Sequence, residues 1–206
     1  MVACFLIGFA GAYGYFASDY GYLVAMAIAW GQIDTIGVAC EDLTEYLDTY
    51  GNKDIHKIND LVTDIVKILQ HHSQYMTHLD HVYGFHSAVI VITAMISQTI
   101  TLFSIIKAGW IFGILFAFVF IFQILTICLV GGVYVVKLSK LQETVNQTNW
   151  YLMPWRKQKM FISIIHNIQN IPEPTAMSLI PLNFNTFVNC MKTMYQLLML
   201  LFNVSK

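Results

Sequence analysis

The chain has 206 residues, of which 57% are hydrophobic and only 11% charged, with a net charge of −1 and a mean hydropathy of +0.60. Soluble domains carry about 25% charged residues, so a soluble globular protein is excluded, and no basic excess points to nucleic acid. The expected fold class is an all-α polytopic membrane protein with about four transmembrane helices and cytoplasmic amphipathic helical extensions. Cys4, Cys40, Cys128 and Cys190 form no CxxC pair. They give no support to metal or redox chemistry, and no cofactor is implied.

Residues 1–18 are uncharged and Gly-rich, and lack the positive n-region of a signal peptide. Their placement is left open; one reading takes them as the remnant of a longer chain. Ser18-Asp19 is an N-cap pattern, so a long helix is expected over residues 19–50. Its first part lies in the membrane, and its acidic end (Glu41, Asp42, Glu45, Asp48) lies in water. Asp34 falls inside or at the edge of the bilayer, where a carboxylate is either a functional group or one that snorkels or bonds a neighbouring helix near the interface; the second reading is favoured.

Gly51-Asn52 is a turn. Over residues 51–81, Ile58, Leu61, Val62, Ile65, Ile68 and Leu69 recur at helical spacing among charged residues, which predicts an amphipathic helix outside the membrane. It runs into His71, His72, His78, His81 and His86. A zinc site has no HExxH motif or nearby cysteine behind it, so a wet helix surface is expected. A second span over 82–106 carries the hydroxyl stripe Thr93, Ser97, Thr101 and Ser104, and Lys107 makes a short hairpin. A third span over 108–136 has a small-residue face at Gly109, Gly113 and Ala117 beside an aromatic ridge at Phe112, Phe116 and Phe120. Close helix packing is the expected use of such small faces. Residues 137–174 form a basic loop and a second amphipathic helix (Met160, Phe161, Ile164, Ile165, Ile168) ended by Pro172 and Pro174. Residues 175–206 are the final span, helical from Met177 to Val204.

Lysine and arginine set the orientation. Segments 49–85 and 137–171 lie on one side and hold eight such residues; the other side holds Lys107 and Lys206. Both amphipathic segments are therefore expected in the cytoplasm and the C-terminus outside, the reverse of a G-protein-coupled receptor. The sequon Asn146-Gln147-Thr148 then faces the cytoplasm and stays unmodified.

The order Cys128, Gly131, Ser139, Asn149-Trp150-Tyr151, Arg156-Lys157, Gln169, Thr175-Ala176, Phe187 and Tyr195 resembles the C-terminal signature of insect odorant receptors. Asp34 resembles the aspartate of that family's fourth helix, and His71-His72-Ser73-Gln74 the entry to its fifth. The resemblance covers roughly residues 15–204, about the rear half of such a receptor, and is most specific over the last 75 or so; the motifs persuade by order and spacing together. It implies helices four to seven of an odorant-gated, non-selective cation channel in the plasma membrane. A tuning subunit would form a hetero-tetramer with a shared odorant coreceptor, and the last helix would line the pore.

On this resemblance the hydrophobic gate falls on Leu200 and Val204, and the polar pore position on Asn203. An odorant pocket for small volatile ligands would draw on Tyr22, Met26, Trp30, Phe116 and Phe120, through dispersion and desolvation. Asn167, Ile171 and Gln196 depart from the family's usual Arg, Pro and Ser, and Lys192 is unusual in a pore helix. The alternatives are a gustatory receptor of the same superfamily, whose pattern Thr193-Met194-Tyr195-Gln196-Leu197 fits poorly, and an inactive truncated receptor or non-conducting membrane subunit. A transporter lacks its expected internal repeat. No carboxylate pair, nucleophile–base pair or metal motif supports an enzyme.

Overall fold

The computed structural model describes residues 2–51, 54–109, 111–177 and 180–204, and side chains from residue 19 onward. These residues form α1 (Val2–Tyr50), α2 (Ile55–Ala108), α3 (Gly113–Gln147), α4 (Trp155–Gln169), a two-stranded hairpin of β1 (Thr175–Ala176) and β2 (Ile180–Pro181), and α5 (Phe184–Val204). A 3-10 turn, Trp150–Leu152, leads into α4. Among the described residues, α1, α2 and α3 are long and apolar enough to cross a membrane. The protein is an all-α polytopic membrane protein.

The core follows from one spacing used three times. On α1 the buried positions are Tyr22, Met26, Ala29, Ile33, Ile36, Cys40, Leu43 and Leu47. On α2 they are Ile58, Val62, Ile65, Leu69, His72, Met76 and Leu79. On α3 the seam facing them is Ile127, Gly131, Tyr134, Leu138, Leu141 and Val145, with Cys128 and Val130 also buried beside it. Each series steps alternately by four and three residues, the 3.5-residue period that keeps a helix seam facing its partner. Three such seams meet in one core, which α4 closes with Phe161, Ile164 and Ile168. Elsewhere α2 and α3 expose large apolar side chains, among them Ile92, Ile96, Ile100, Phe118, Val119 and Phe122. A helix apolar on both its packed and its open face is built for lipid rather than water.

Turn chemistry ends the helices where expected. Asp54 caps α2 by accepting from the Lys57 N–H at 3.3 Å. Gly109 stops it in the left-handed region at φ 63°, its N–H bonding the Ile105 carbonyl. The Asn149-Trp150-Tyr151 loop is tied to the end of α1, with Asn149 Nδ2 donating to Asp48 Oδ1 at 2.7 Å.

Four boundaries differ from the sequence expectation. The third span does not end at 136: α3 continues unbroken to Gln147, through residues 137–147 of the expected basic loop. Asp19 does not cap a helix: α1 runs on from Val2, since no proline turns the chain before Asp19. Segments 51–81 and 82–106 share one unbroken 54-residue helix, because a change of surroundings alters the outer side chains and not the backbone. The last helix starts at Phe184, not Met177, because Thr175-Ala176 and Ile180-Pro181 pair as short strands, with Thr175 opposite Pro181 and Ala176 opposite Ile180. At 21 residues and ~1.5 Å per residue, α5 still matches a hydrocarbon core of about 30 Å. Unlike α1, α2 and α3 it contains no 18-residue stretch of strongly apolar character, for a reason that lies in its open face.

Candidate functional site

Helix α5 has two faces. Asn183 starts it, accepting from the Thr186 N–H at 3.0 Å, while Thr186 Oγ1 donates to the Pro181 carbonyl at 2.6 Å. Thr186, Cys190 and Met194 then recur every four residues and are buried. Cys190 and Met194 pack with Val91 and Ala94 of α2 and Ile124 and Cys128 of α3. Near the far end, Phe202 meets Phe103 of α2 with ring centroids 5.3 Å apart. The opposite face carries Asn185, Asn189, Lys192, Gln196, Leu200 and Asn203, all exposed. At 100° per residue these six fall on one stripe. Val204 lies beside it and is 78% exposed. Leu200, Asn203 and Val204 are thus brought together at the end of one polar, unpacked stripe, and Lys192 lies on it too.

The start of α5 is clipped to the rest of the bundle. The Thr175 N–H and Oγ1 both donate to Asp80 Oδ1, at 3.0 and 2.7 Å. The Met177 N–H donates to the Gly84 carbonyl at 3.0 Å. On the other side the Leu182 carbonyl lies so close to Gly131 that a methyl group there would overlap it. The hairpin therefore sits between α2 and α3, held by hydrogen bonds on one and by close backbone approach on the other. Nothing in the sequence marked Asp80 as an anchor, since it stands among histidines and reads as part of a wet surface.

Asp34 pairs with Lys137 of α3, Nζ lying 2.7 and 2.6 Å from its two carboxylate oxygens. It bonds a neighbouring helix, the reading favoured from sequence. Of the histidine run, His72 turns inward and is fully buried. Its Nδ1 lies 2.8 Å from Gln32 Oε1 and its Nε2 3.1 Å from the Tyr134 hydroxyl. The tautomer that satisfies both carries its proton on Nδ1, donates to the amide oxygen and accepts from the phenol. Three helices meet at this one ring.

The five candidate pocket residues do not line a single cavity. Tyr22 and Met26 belong to the three-seam core, and Trp30 packs against it. Phe120 packs against the smaller cluster beneath α5, and Phe116 is 52% exposed. Tyr22 Oη and Trp30 Nε1 are buried with no hydrogen-bond partner among the described residues. Of the predicted stripes, the hydroxyls turn back on their own helix: Thr93 Oγ1 donates to Val89 and Thr101 Oγ1 to Ser97. Gly113 and Ala117 are buried, whereas Gly109 is the cap of the preceding helix.

A bundle of long apolar helices with the amphipathic helix α5 clipped to its side defines a polytopic membrane protein. A family model described as 7tm Odorant receptor matches residues 6–195. The chain belongs to that odorant receptor family. No curated protein matches it.

Proposed function

We propose that the protein is a tuning subunit of an odorant-gated, non-selective cation channel that assembles with a shared coreceptor in the plasma membrane of a sensory cell, its C-terminus outside. The observation that carries this reading is the exposed stripe of α5. The amides Asn185, Asn189, Gln196 and Asn203, one to two turns apart along the stripe, would give a hydrated cation successive ligands, and Leu200 with Val204 would supply an apolar constriction that closes by dewetting. Membership of a receptor family, not an enzyme family, supports it. For the ligand, the aromatic and apolar groups Tyr22, Met26, Trp30, Phe116 and Phe120 favour small volatile molecules.

Co-expression with the coreceptor and whole-cell recording tests this. Odorant-evoked cation currents are expected. Leu200→Ala and Val204→Ala should raise the basal current by widening the apolar constriction. Unchanged currents at normal surface levels would remove the gate assignment, and no current at all would favour a non-conducting subunit.

A further inference from the structure

Besides the contacts of α5, the molecule holds a charged groove that the channel reading leaves unused. It has a volume of about 210 Å³ and lies between α1 and α3, lined by Asp34, Glu41, Lys137, Lys140 and, at its floor, Ile33 and Leu141. Its position is set by composition. Asp34 is the first charged residue after the apolar run of α1, and Lys137 the first after that of α3. Their ion pair puts both transitions at one level. Val38, which lines the groove, is 56% exposed, and Val133 and Val136, just before Lys137 on α3, are 42% and 69% exposed. The groove therefore opens towards the surface where lipid headgroups meet the ends of apolar helices.

The charges in the groove are incompletely matched. Asp34 and Lys137 neutralise each other. Glu41, two turns beyond Asp34, and Lys140, one turn beyond Lys137, are exposed and make no hydrogen bond or ion pair with another described residue. Both face the same small space without meeting. A ligand completing this arrangement needs an anionic and a cationic group a short distance apart.

We propose that the groove binds the headgroup of a phosphatidylethanolamine lipid, with the phosphate on Lys140 and Lys137 and the primary ammonium on Glu41 and Asp34. Three features select this headgroup. The two acids and two bases balance, so a headgroup with net negative charge meets as many repulsions as attractions. An ammonium bearing N–H bonds donates directly to carboxylates, giving charge-assisted hydrogen bonds that a quaternary ammonium cannot make. No aromatic ring lines the groove, so it lacks the cation–π faces that favour a choline group.

The test is native mass spectrometry of the purified full chain in detergent micelles. Phosphatidylethanolamine, phosphatidylcholine and phosphatidylglycerol with identical acyl chains are added in turn. Phosphatidylethanolamine is expected to be retained about tenfold over the other two, the worth of one charge-assisted hydrogen bond. The exposed double variant Glu41→Gln/Lys140→Gln, which leaves the Asp34–Lys137 pair intact, should erase that preference with an unchanged helical circular dichroism spectrum. Equal retention of all three lipids, or an undiminished preference in the double variant, overturns the proposal. Glycerophosphoethanolamine, which has no acyl chains, should not displace the lipid at equal concentration. Displacement would assign the groove to a soluble compound and overturn the lipid assignment.

Discussion

His72 and Tyr134 occupy seam positions that apolar residues fill elsewhere, and both are fully buried. A polar pair in a seam stabilises one alignment of the helices over its slipped alternatives, because any shift strands buried donors and acceptors. Tyr134→Phe removes the donor to His72 Nε2 and is expected to cost about 1–3 kcal/mol, read as a lowered melting temperature in detergent. His72→Phe strands both Tyr134 and Gln32 and should cost at least as much. The run of five histidines hid this residue, because composition treats them alike. Its spacing from Leu69 and Met76 is what places it on the buried face. Lys192 makes a second prediction at this scale. A fixed positive charge on a cation path raises the barrier to conduction. Lys192→Gln should therefore increase unitary conductance in single-channel recordings, and an unchanged value would put Lys192 outside the path.

Helix α4 was legible in the sequence because its apolar residues repeat at the helical period against a charged background. The hairpin was not. Its strands have two residues each, and the apolar run that follows Pro174 reads equally well as the first turns of a helix. Only the tertiary partners Asp80, Gly84 and Gly131 distinguish the two. This small element governs where α5 begins. Gly131→Ala forces the Leu182 carbonyl away and should cost about 1–3 kcal/mol through overpacking. Asp80→Ala removes the acceptor of two hydrogen bonds without adding bulk. Both are expected to reduce odorant-evoked current at matched surface expression, and Gly131→Ala also to lower the melting temperature. A normal response from both would show that the hairpin does not hold α5 in its working position.

Across the whole molecule, the apolar runs and charge transitions announced four membrane spans; among the described residues, α1, α2 and α3 are long and apolar enough to cross a membrane. The runs could not show that α2 continues through the membrane boundary, since periodicity persists while only the outward residues change. The charge asymmetry also makes a topological prediction: an epitope tag after Lys206 should bind antibody on intact cells, whereas one inserted at Gly51 should need permeabilisation. The length of α2 has a mechanical meaning. Its 54 residues make a rod of roughly 80 Å at ~1.5 Å per residue. Asp80 and Gly84, where the hairpin is fastened, straddle its midpoint. The rod is thus a seesaw whose pivot is the root of α5. A tilt of about 3° swings each end of such an ~80 Å rod by about 2 Å in opposite directions, the size of shift by which packed helices switch arrangement. Phe103 rides on one arm and touches Phe202 of α5; Ile58 rides on the other. Motion at either extremity would reach α5 through its fastening and through its tip.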